Sequence, residues 1–355
     1  MLLSFFAYIF TLPYRWVLWI RNKCYDWGVF KSVSLDIPVV SIGNISVGGT
    51  GKTPHTELVL RLFCQEIQIA VLSRGYRRAS RGFRYVDGSD SVSDVGDEPL
   101  QIKRKFPSVV VAVDVDRVAG ISRIRKDHPH VGLIVLDDAF QYRRLKPTFS
   151  ILLSDYNRPY TQDLLLPFGR LRDLKSQTKR ADMIIVTKTP PQSSSAEWEH
   201  QCKLLKPNSN QKLLFTCYTY YAPYRLFGER TNVLTESSGN EIIALTGIAQ
   251  PQPFLDKISN SGTIVQHLKF SDHHFFSRKD ICRIDEAIVQ YPHAVIYTTE
   301  KDAMRLSEAP TLSLEAKAKI YVVSIQIDFC TTEDKNLFKK CLSLVNFLNR
   351  GYTPT

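Results

Sequence analysis

The seven cysteines of this 355-residue chain are scattered from Cys24 to Cys341 and include no C-x-x-C pair. An odd, dispersed set excludes a disulfide framework and a structural zinc site, and points to reduced thiols in a cytosol-facing protein. The chain also lacks internal repeats and low-complexity tracts. No helix-turn-helix, zinc-finger or RNP-type pattern can be placed, so no nucleic-acid partner is expected. Acid is the scarcer charge: 35 Asp plus Glu stand against 46 Lys plus Arg, a net charge of +11. That surplus suits a partner that is itself negative, such as an anionic lipid or a phosphorylated substrate. With 44% hydrophobic and 23% charged residues, the composition is that of a folded protein and excludes a disordered chain or a polytopic membrane protein. The length suffices for about two domains.

The first apolar stretch, Leu2 to Ile20, is rich in aromatics but has neither a basic region before it nor a small-x-small cleavage site after it. A cleaved signal peptide is therefore not expected. Pro13 and Arg15 interrupt the run, which weighs against a plain spanning helix. Trp16, Trp19, Arg21 and Lys23 supply the aromatic and basic anchors found at lipid headgroup level. The segment reads as a membrane-associated helix over residues 1–30, facing the cytosol by its positive charges; a helix buried on the domain is the competing reading.

After Lys31 short apolar runs alternate with helical stretches. Strands are expected at Pro38–Ile42, Gln68–Leu72, Ser108–Val113, Leu133–Leu136, Phe149–Leu153 and Met183–Thr187, with helices such as Thr53–Cys64 and Arg117–Lys126 between them. Val, Ile and Leu in unbroken runs suit parallel strands covered on both faces. The order implies a doubly wound α/β domain over 31–195, with ligands at the carboxyl ends of the strands. A Pro/Ser-rich loop at Thr189–Ala196 closes it. A connector over 196–240 then holds strand-like Leu213–Tyr221 and the polar stretch Gly228–Asn240. A smaller α/β lobe is expected over 241–355, with strands at Glu241–Thr246, Thr263–Leu268, Ala294–Thr299 and Ile320–Ile327 and a last helix around Asn336–Asn349.

The strongest local signal is Ser46-Val47-Gly48-Gly49-Thr50-Gly51-Lys52-Thr53, between a strand and a helix. Glycines let backbone N–H groups face phosphate oxygens, a Lys reaches the β- and γ-phosphates, and a Ser/Thr hydroxyl binds Mg²⁺. Ser46 stands where G-x-x-x-x-G-K-S/T has its first Gly. Asp137 and Asp138 follow the apolar run Leu133–Leu136, where a carboxylate for a nucleotide-bound Mg²⁺ belongs; a nearby cation would relieve their repulsion. Arg74, Arg77, Arg78, Arg81 and Arg84 occur without an acid among them, and Arg143, Arg144, Arg170 and Arg172 follow. They form either a solvated face or a clamp for phosphate. Further along, Asp272-His273-His274 offers an acid–base or orienting histidine, and Thr298-Thr299-Glu300-Lys301-Asp302 stands at a strand end, where ligand clefts open.

In their joint order these motifs resemble the bacterial tetraacyldisaccharide 4′-kinases of lipid A biosynthesis. The resemblance runs from the apolar N-terminus to Leu306. It rests on Gly43-Asn44 with the GGTGKTP loop, Ser73-Arg74-Gly75-Tyr76, Gly96-Asp97-Glu98-Pro99 and Asp116-Arg117-Val118-Ala119. It continues in Leu136-Asp137-Asp138-Ala139-Phe140-Gln141, Leu166-Pro167 with Gly169 and Leu171-Arg172, Thr246-Gly247-Ile248-Ala249, Asp272-His273-His274 and Thr299-Glu300-Lys301-Asp302-Ala303. Three departures stand out: Tyr142 in place of a His, Ala139 in place of the commoner Gly, and Phe168-Gly169-Arg170 in place of Ala-Gly-Pro.

The resemblance implies a P-loop NTPase fold and transfer of the ATP γ-phosphoryl group to the 4′-hydroxyl of a tetraacylated glucosamine disaccharide 1-phosphate. It implies ATP and Mg²⁺ as cofactors, held by Gly48, Gly49, Thr50, Gly51, Lys52 and Thr53. Thr53, Glu98 and Asp138 would surround the metal with Asp137 beside them, although strand-end logic alone favours Asp137. Asp97 is the implied base, paired with His273 from the other lobe; Arg172 would contact phosphate, and hinge closure would assemble the site. The partners implied are an acylated anionic disaccharide and the cytosolic face of the inner membrane, with the enzyme a monomer. A membrane-bound P-loop switch or assembly ATPase is the alternative. Thr187-Lys188-Thr189-Pro190 lacks the Asn and Asp of a guanine-reading N-K-x-D, which disfavours a GTPase.

Overall fold

The computed structural model describes residues 2–228, 240–309 and 312–348. Eight strands are laid down first: β1 Val39–Gly43, β2 Ile69–Ser73, β3 Arg84–Tyr85, β4 Val110–Val113, β5 Leu133–Asp137, β6 Phe149–Asp155, β7 Met183–Thr187 and β8 Lys212–Tyr220. Five more, β9 Tyr224–Arg225, β10 Asn240–Thr246, β11 Gly262–Lys269, β12 Val295–Thr299 and β13 Ile320–Val323, build a second sheet. The last, β14 Ile325–Phe329, returns to the first.

The first sheet has the order β14-β8-β7-β6-β1-β5-β2-β4-β3. It is parallel throughout except for its two edges, β14 against β8 and β3 against β4. All five residues of β1, β2, β5 and β7 are buried. Helices cover both faces, so these strands are apolar without alternation. Because β1 is central, with β5 on one side and β6 on the other, the loops leaving these three strands meet at one end of the sheet. The second sheet has the order β11-β10-β12-β13-β9, parallel but for β9.

Two expected boundaries are corrected. β8 belongs to the first sheet, paired in parallel with β7, so much of the 196–240 connector is part of the larger domain; residues 229–239 lie outside the described residues. The run Ile320–Ile327 is two strands in different sheets, separated at Ser324. β14 and the helix Thr332–Leu348 then pack on the larger domain, where Phe329, Phe338, Leu342 and Val345 join its core. The smaller lobe therefore ends at β13 instead of running to 355.

The N-terminal segment forms one helix, Leu2–Asp26, with Pro13 inside it. One face lies on the larger domain. Leu18 and Asn22 are buried, Asn22 Nδ2 donates to Asp173 Oδ1 at 2.9 Å, and Tyr14 donates to the Arg172 carbonyl at 3.2 Å. Trp16, Val17, Trp19 and Ile20 remain exposed, as does Trp27 just after it. Among the described residues no helix is long and apolar enough to cross a membrane.

Candidate active site

The phosphate loop leaves β1 at Gly43 and enters the helix Lys52–Phe63. Gly51, immediately before the helix, has φ +85°, a left-handed conformation that an L side chain adopts only under strain. The loop is fastened from beneath. Asn44 Nδ2 donates to Thr50 Oγ1 at 2.6 Å, and Gln141 Nε2 donates to the Asn44 carbonyl at 2.6 Å. His55 Nδ1 lies 2.7 Å from the Gly51 carbonyl and Nε2 lies 3.0 Å from Thr216 Oγ1. Burial pushes the His55 imidazole down to about 4 despite its bond to Gly51. It is neutral, and since a carbonyl can only accept, Nδ1 carries the proton and Nε2 accepts from Thr216.

Gly43 has a different task. A Cβ there would sit 2.8 Å from Phe140 Cβ and 2.9 Å from Phe140 N, so the strand end and the segment after Asp138 are in closest approach. Gly43→Ala is expected to destabilise the protein by about 1–3 kcal/mol through overpacking. Urea unfolding of the variant against wild type checks this; an unchanged midpoint would contradict it.

Opposite the loop, β5 delivers Asp137 and Asp138. Asp137 is buried and accepts from Thr53 Oγ1 at 3.4 Å and Thr56 Oγ1 at 3.3 Å. Burial, then the neighbouring carboxylates of Glu98 and Asp138, push its carboxyl up to about 7 against the opposing charge of Lys52. Asp138, at φ +54°, turns away. Its carboxylate lies 3.7 Å from Lys52 Nζ and is clasped by the Arg172 guanidinium, whose Nη2 also donates to Asn44 Oδ1 at 2.7 Å. Burial raises the Asp138 carboxyl, but Lys52 and Arg172 outweigh it and hold it below the usual range.

The ionisation of Asp137 carries a sign that can be tested. A folded value above the unfolded one contributes stability that is present at low pH and lost as pH rises from about 4 through about 7. Asp137→Asn removes the charge, so the ligand-free variant is expected to melt higher than wild type at about pH 8, with the gap closing toward about pH 4.5. A variant that melts lower at the alkaline end would show that Asp137 is already compensated.

Across the cleft, Asp97 opens the helix Asp97–Lys105 and meets His273 from the smaller lobe, with Nδ1 2.9 Å from Asp97 Oδ2. Burial pushes the Asp97 carboxyl up, yet the bond from His273 and the charges of Lys301 and Arg305 prevail and hold it at about 2. Lys301 Nζ lies 3.1 Å from His273 Nε2 and 3.4 Å from Glu98 Oε1. An ammonium can only donate, so Nε2 bears the lone pair and Nδ1–H donates to Asp97. Arg305, also on the helix Glu300–Leu306, approaches Asp97 at 3.9 Å and pairs with Asp302 at 2.8 Å. At the far end of the Asp97 helix, Lys105 bridges Glu57 at 2.7 Å and Glu300 at 2.8 Å. Contacts between the lobes thus hold the Asp97–His273 pair in register.

The structure therefore brings together Lys52, Thr53, Asp137, Asp138 and Arg172 at the loop, and Asp97, Glu98 and His273 opposite it. Among the described residues no group of three or more His, Cys, Asp or Glu side chains forms a metal cage. A nucleotide-borne Mg²⁺ does not need one, since phosphate oxygens and water supply most of its ligands. Two of the five arginines in the loop after β2 are held locally: Arg78 donates to Ser80 at 3.2 Å and Arg84 pairs with Asp90, while Arg74, Arg77 and Arg81 are exposed. Sequence reasoning gave Lys301, Arg305, Asn44 and His55 no role. Only the strand-end position of Lys301 hinted at one.

A family model described as tetraacyldisaccharide-1-P 4′-kinase matches residues 3–345. The chain belongs to this tetraacyldisaccharide 4′-kinase family. A relative of that name from Phocaeicola vulgatus is 41% identical over 327 residues, covering 89% of each chain. One from Bacteroides thetaiotaomicron is 40% identical, covering 89% of this chain and 87% of its own. Among solved structures, LpxK from Aquifex aeolicus, crystallised in complex with ATP, superposes with a TM-score of 0.73 at 24% identity, over 97% of this chain and 99% of that one. That likeness establishes the shared fold, a mostly parallel α/β architecture with a phosphate loop. The family membership accounts for the joint order of motifs from Gly43 to Ala303.

Proposed function

We propose that this chain transfers the γ-phosphoryl group of ATP to the 4′-hydroxyl of a tetraacyldisaccharide 1-phosphate. The observation that carries the reading is the Asp97–His273 pair, donated by two lobes and facing the Lys52 loop. Lys52 holds the outer phosphates and the backbone of Gly48–Gly51 cradles them. Thr53 and Asp137 fit Mg²⁺ best, because Asp137 is buried and makes no ion pair among the described residues, whereas Asp138 is paired with Lys52 and Arg172 and Glu98 with Lys301. When bound, that ion neutralises charge on the β- and γ-phosphate oxygens.

The acid–base pair reads best with His273 taking the proton. A carboxylate held at about 2 is a feeble base, while the unprotonated Nε2 of His273 points away from Asp97. The substrate hydroxyl takes the place of Lys301 at Nε2, His273 accepts its proton, and Asp97 stabilises the imidazolium that results. We read the exposed Trp16, Trp19 and Trp27 as lipid-facing, which supports a site at the cytosolic face of the membrane, where an acylated substrate resides.

The test is an assay with ATP labelled in its γ-phosphate, Mg²⁺ and a detergent-dispersed tetraacyldisaccharide 1-phosphate. Label recovered in the lipid supports the reading. ATP hydrolysis without lipid labelling overturns it in favour of a membrane-bound switch. Replacing Trp16, Trp19 and Trp27 together by Ala is expected to weaken binding to anionic vesicles at least about tenfold, roughly 1.4 kcal/mol. Unchanged co-sedimentation would remove the lipid-facing assignment alone.

A further inference from the structure

The segment Gly169-Arg170-Leu171-Arg172 runs beside the phosphate loop, and Ser46 and Leu171 form an antiparallel bridge. Its backbone is fixed on all sides. Val47 N donates to the Arg170 carbonyl at 2.7 Å, Arg172 N to the Ile45 carbonyl at 2.8 Å, and Arg170 N to Asp163 Oδ1 at 3.1 Å. A Cβ on Gly169 would lie 2.2 Å from the Leu164 carbonyl oxygen, so the turn into this segment is closed to a side chain. In an extended segment, alternate residues share a face. Leu171 is buried in the core, which puts Arg170 and Arg172 together on the side of the cleft.

The two arginines differ in their partners. Arg172 is taken up by Asp138 and Asn44. Arg170 makes no hydrogen bond or ion pair through its guanidinium among the described residues. Its Nη1 lies 3.9 Å from where a Cβ on Gly48 would be, and it lines the pocket with Gly48, Gly49 and Thr50. An unpaired, rigidly based guanidinium over a glycine turn built for phosphate is suited to an anion. Lys52 reaches the outer phosphates from the helix end of the loop, whereas Gly48 stands at the opposite turn, so a guanidinium over Gly48 approaches them from the other side.

We infer that Arg170 contacts the γ-phosphate of the bound nucleotide, as a second phosphate-binding arginine beside Arg172. The inference rests on the kinase reading above. It gives a role to a residue standing where the family pattern has a proline, which can offer no charge. The guanidinium donates two N–H bonds to γ-phosphate oxygens and favours the charge spread over them during transfer.

The test is calorimetric binding of ATP and of ADP to the full-length protein with Mg²⁺, for wild type, Arg170→Gln and Arg170→Lys. Arg170→Gln is expected to weaken ATP at least about tenfold and ADP less than about twofold. Equal weakening of both nucleotides overturns the inference, because a distorted loop would produce that result; so does no weakening of ATP. Arg170→Lys keeps the charge but not the fork, and is expected between the two. Should the Gln variant fail to fold, an unchanged ATP-to-ADP ratio in the Lys variant overturns the inference instead. Wild type that binds neither nucleotide would defeat the kinase reading itself, a separate outcome.

Discussion

His273→Ala lowers the rate of lipid phosphorylation by roughly 10²–10⁴-fold, the expected cost of losing a positioned acid–base group. The same loss is expected from Asp97→Ala, for a different reason. Without Asp97, the His273 Nδ1 proton has no acceptor, the ring is free to turn, and an imidazolium formed at Nε2 has no carboxylate at 2.9 Å to stabilise it. Because the two residues act as one unit, the double variant should be little worse than either single one. Initial rates of label transfer at saturating ATP measure all three. Strict multiplication of the two single losses would show independent roles, and a His273→Ala rate within about threefold of wild type would remove His273 from proton transfer altogether. Asp97→Ala carries an added consequence at the lobe interface. Arg305 loses a carboxylate 3.9 Å away but keeps Asp302 at 2.8 Å, so the buried guanidinium stays paired and the fold is retained.

How much of this was readable from sequence differs between the two halves of the site. The strand–loop–helix around Lys52 is written locally: an apolar run, glycines where φ must be positive, then a helix, all within about twenty residues. Asp137 and Asp138 are equally local, but their division of labour is not. It is set by Arg172 and Lys52 reaching Asp138 from other elements, and strand-end logic could only rank the two acids. The Asp97–His273 pair joins positions 176 residues apart and came from family resemblance alone. Lys301 is legible only as part of a polar strand-end cluster and Arg305 not at all, because a charged helix start after a strand is ordinary on a solvated surface. Only the docking of the smaller lobe turns that helix toward Asp97. The lobe boundary failed for a similar reason. Ile320–Ile327 is one apolar run in sequence, and nothing local to Ser324 announces that its two halves pair with different sheets.

Lys52→Ala should abolish transfer while leaving the protein folded, and the surroundings of Lys52 explain why the two effects separate. Among the described residues its ammonium makes one ion pair, with Asp138 at 3.7 Å, and that carboxylate is already clasped by Arg172. A partly exposed pair of this kind contributes about 0–1 kcal/mol, so its loss is small against the stability of a domain. The phosphate loop does not depend on Lys52 either, being fastened through Asn44, Gln141 and His55. Transfer, by contrast, has no substitute for the ammonium. The γ-phosphoryl group gathers negative charge on oxygens that Lys52 reaches from the start of the helix, and catalysis here consists of positioning and charge stabilisation. Rate measurements beside thermal melts decide the matter. Turnover retained in a folded Lys52→Ala protein would overturn the nucleotide-site assignment. Turnover lost together with the fold would show that the Lys52–Asp138 pair holds β5 to the loop, a structural duty that the Arg172 clasp on Asp138 argues against.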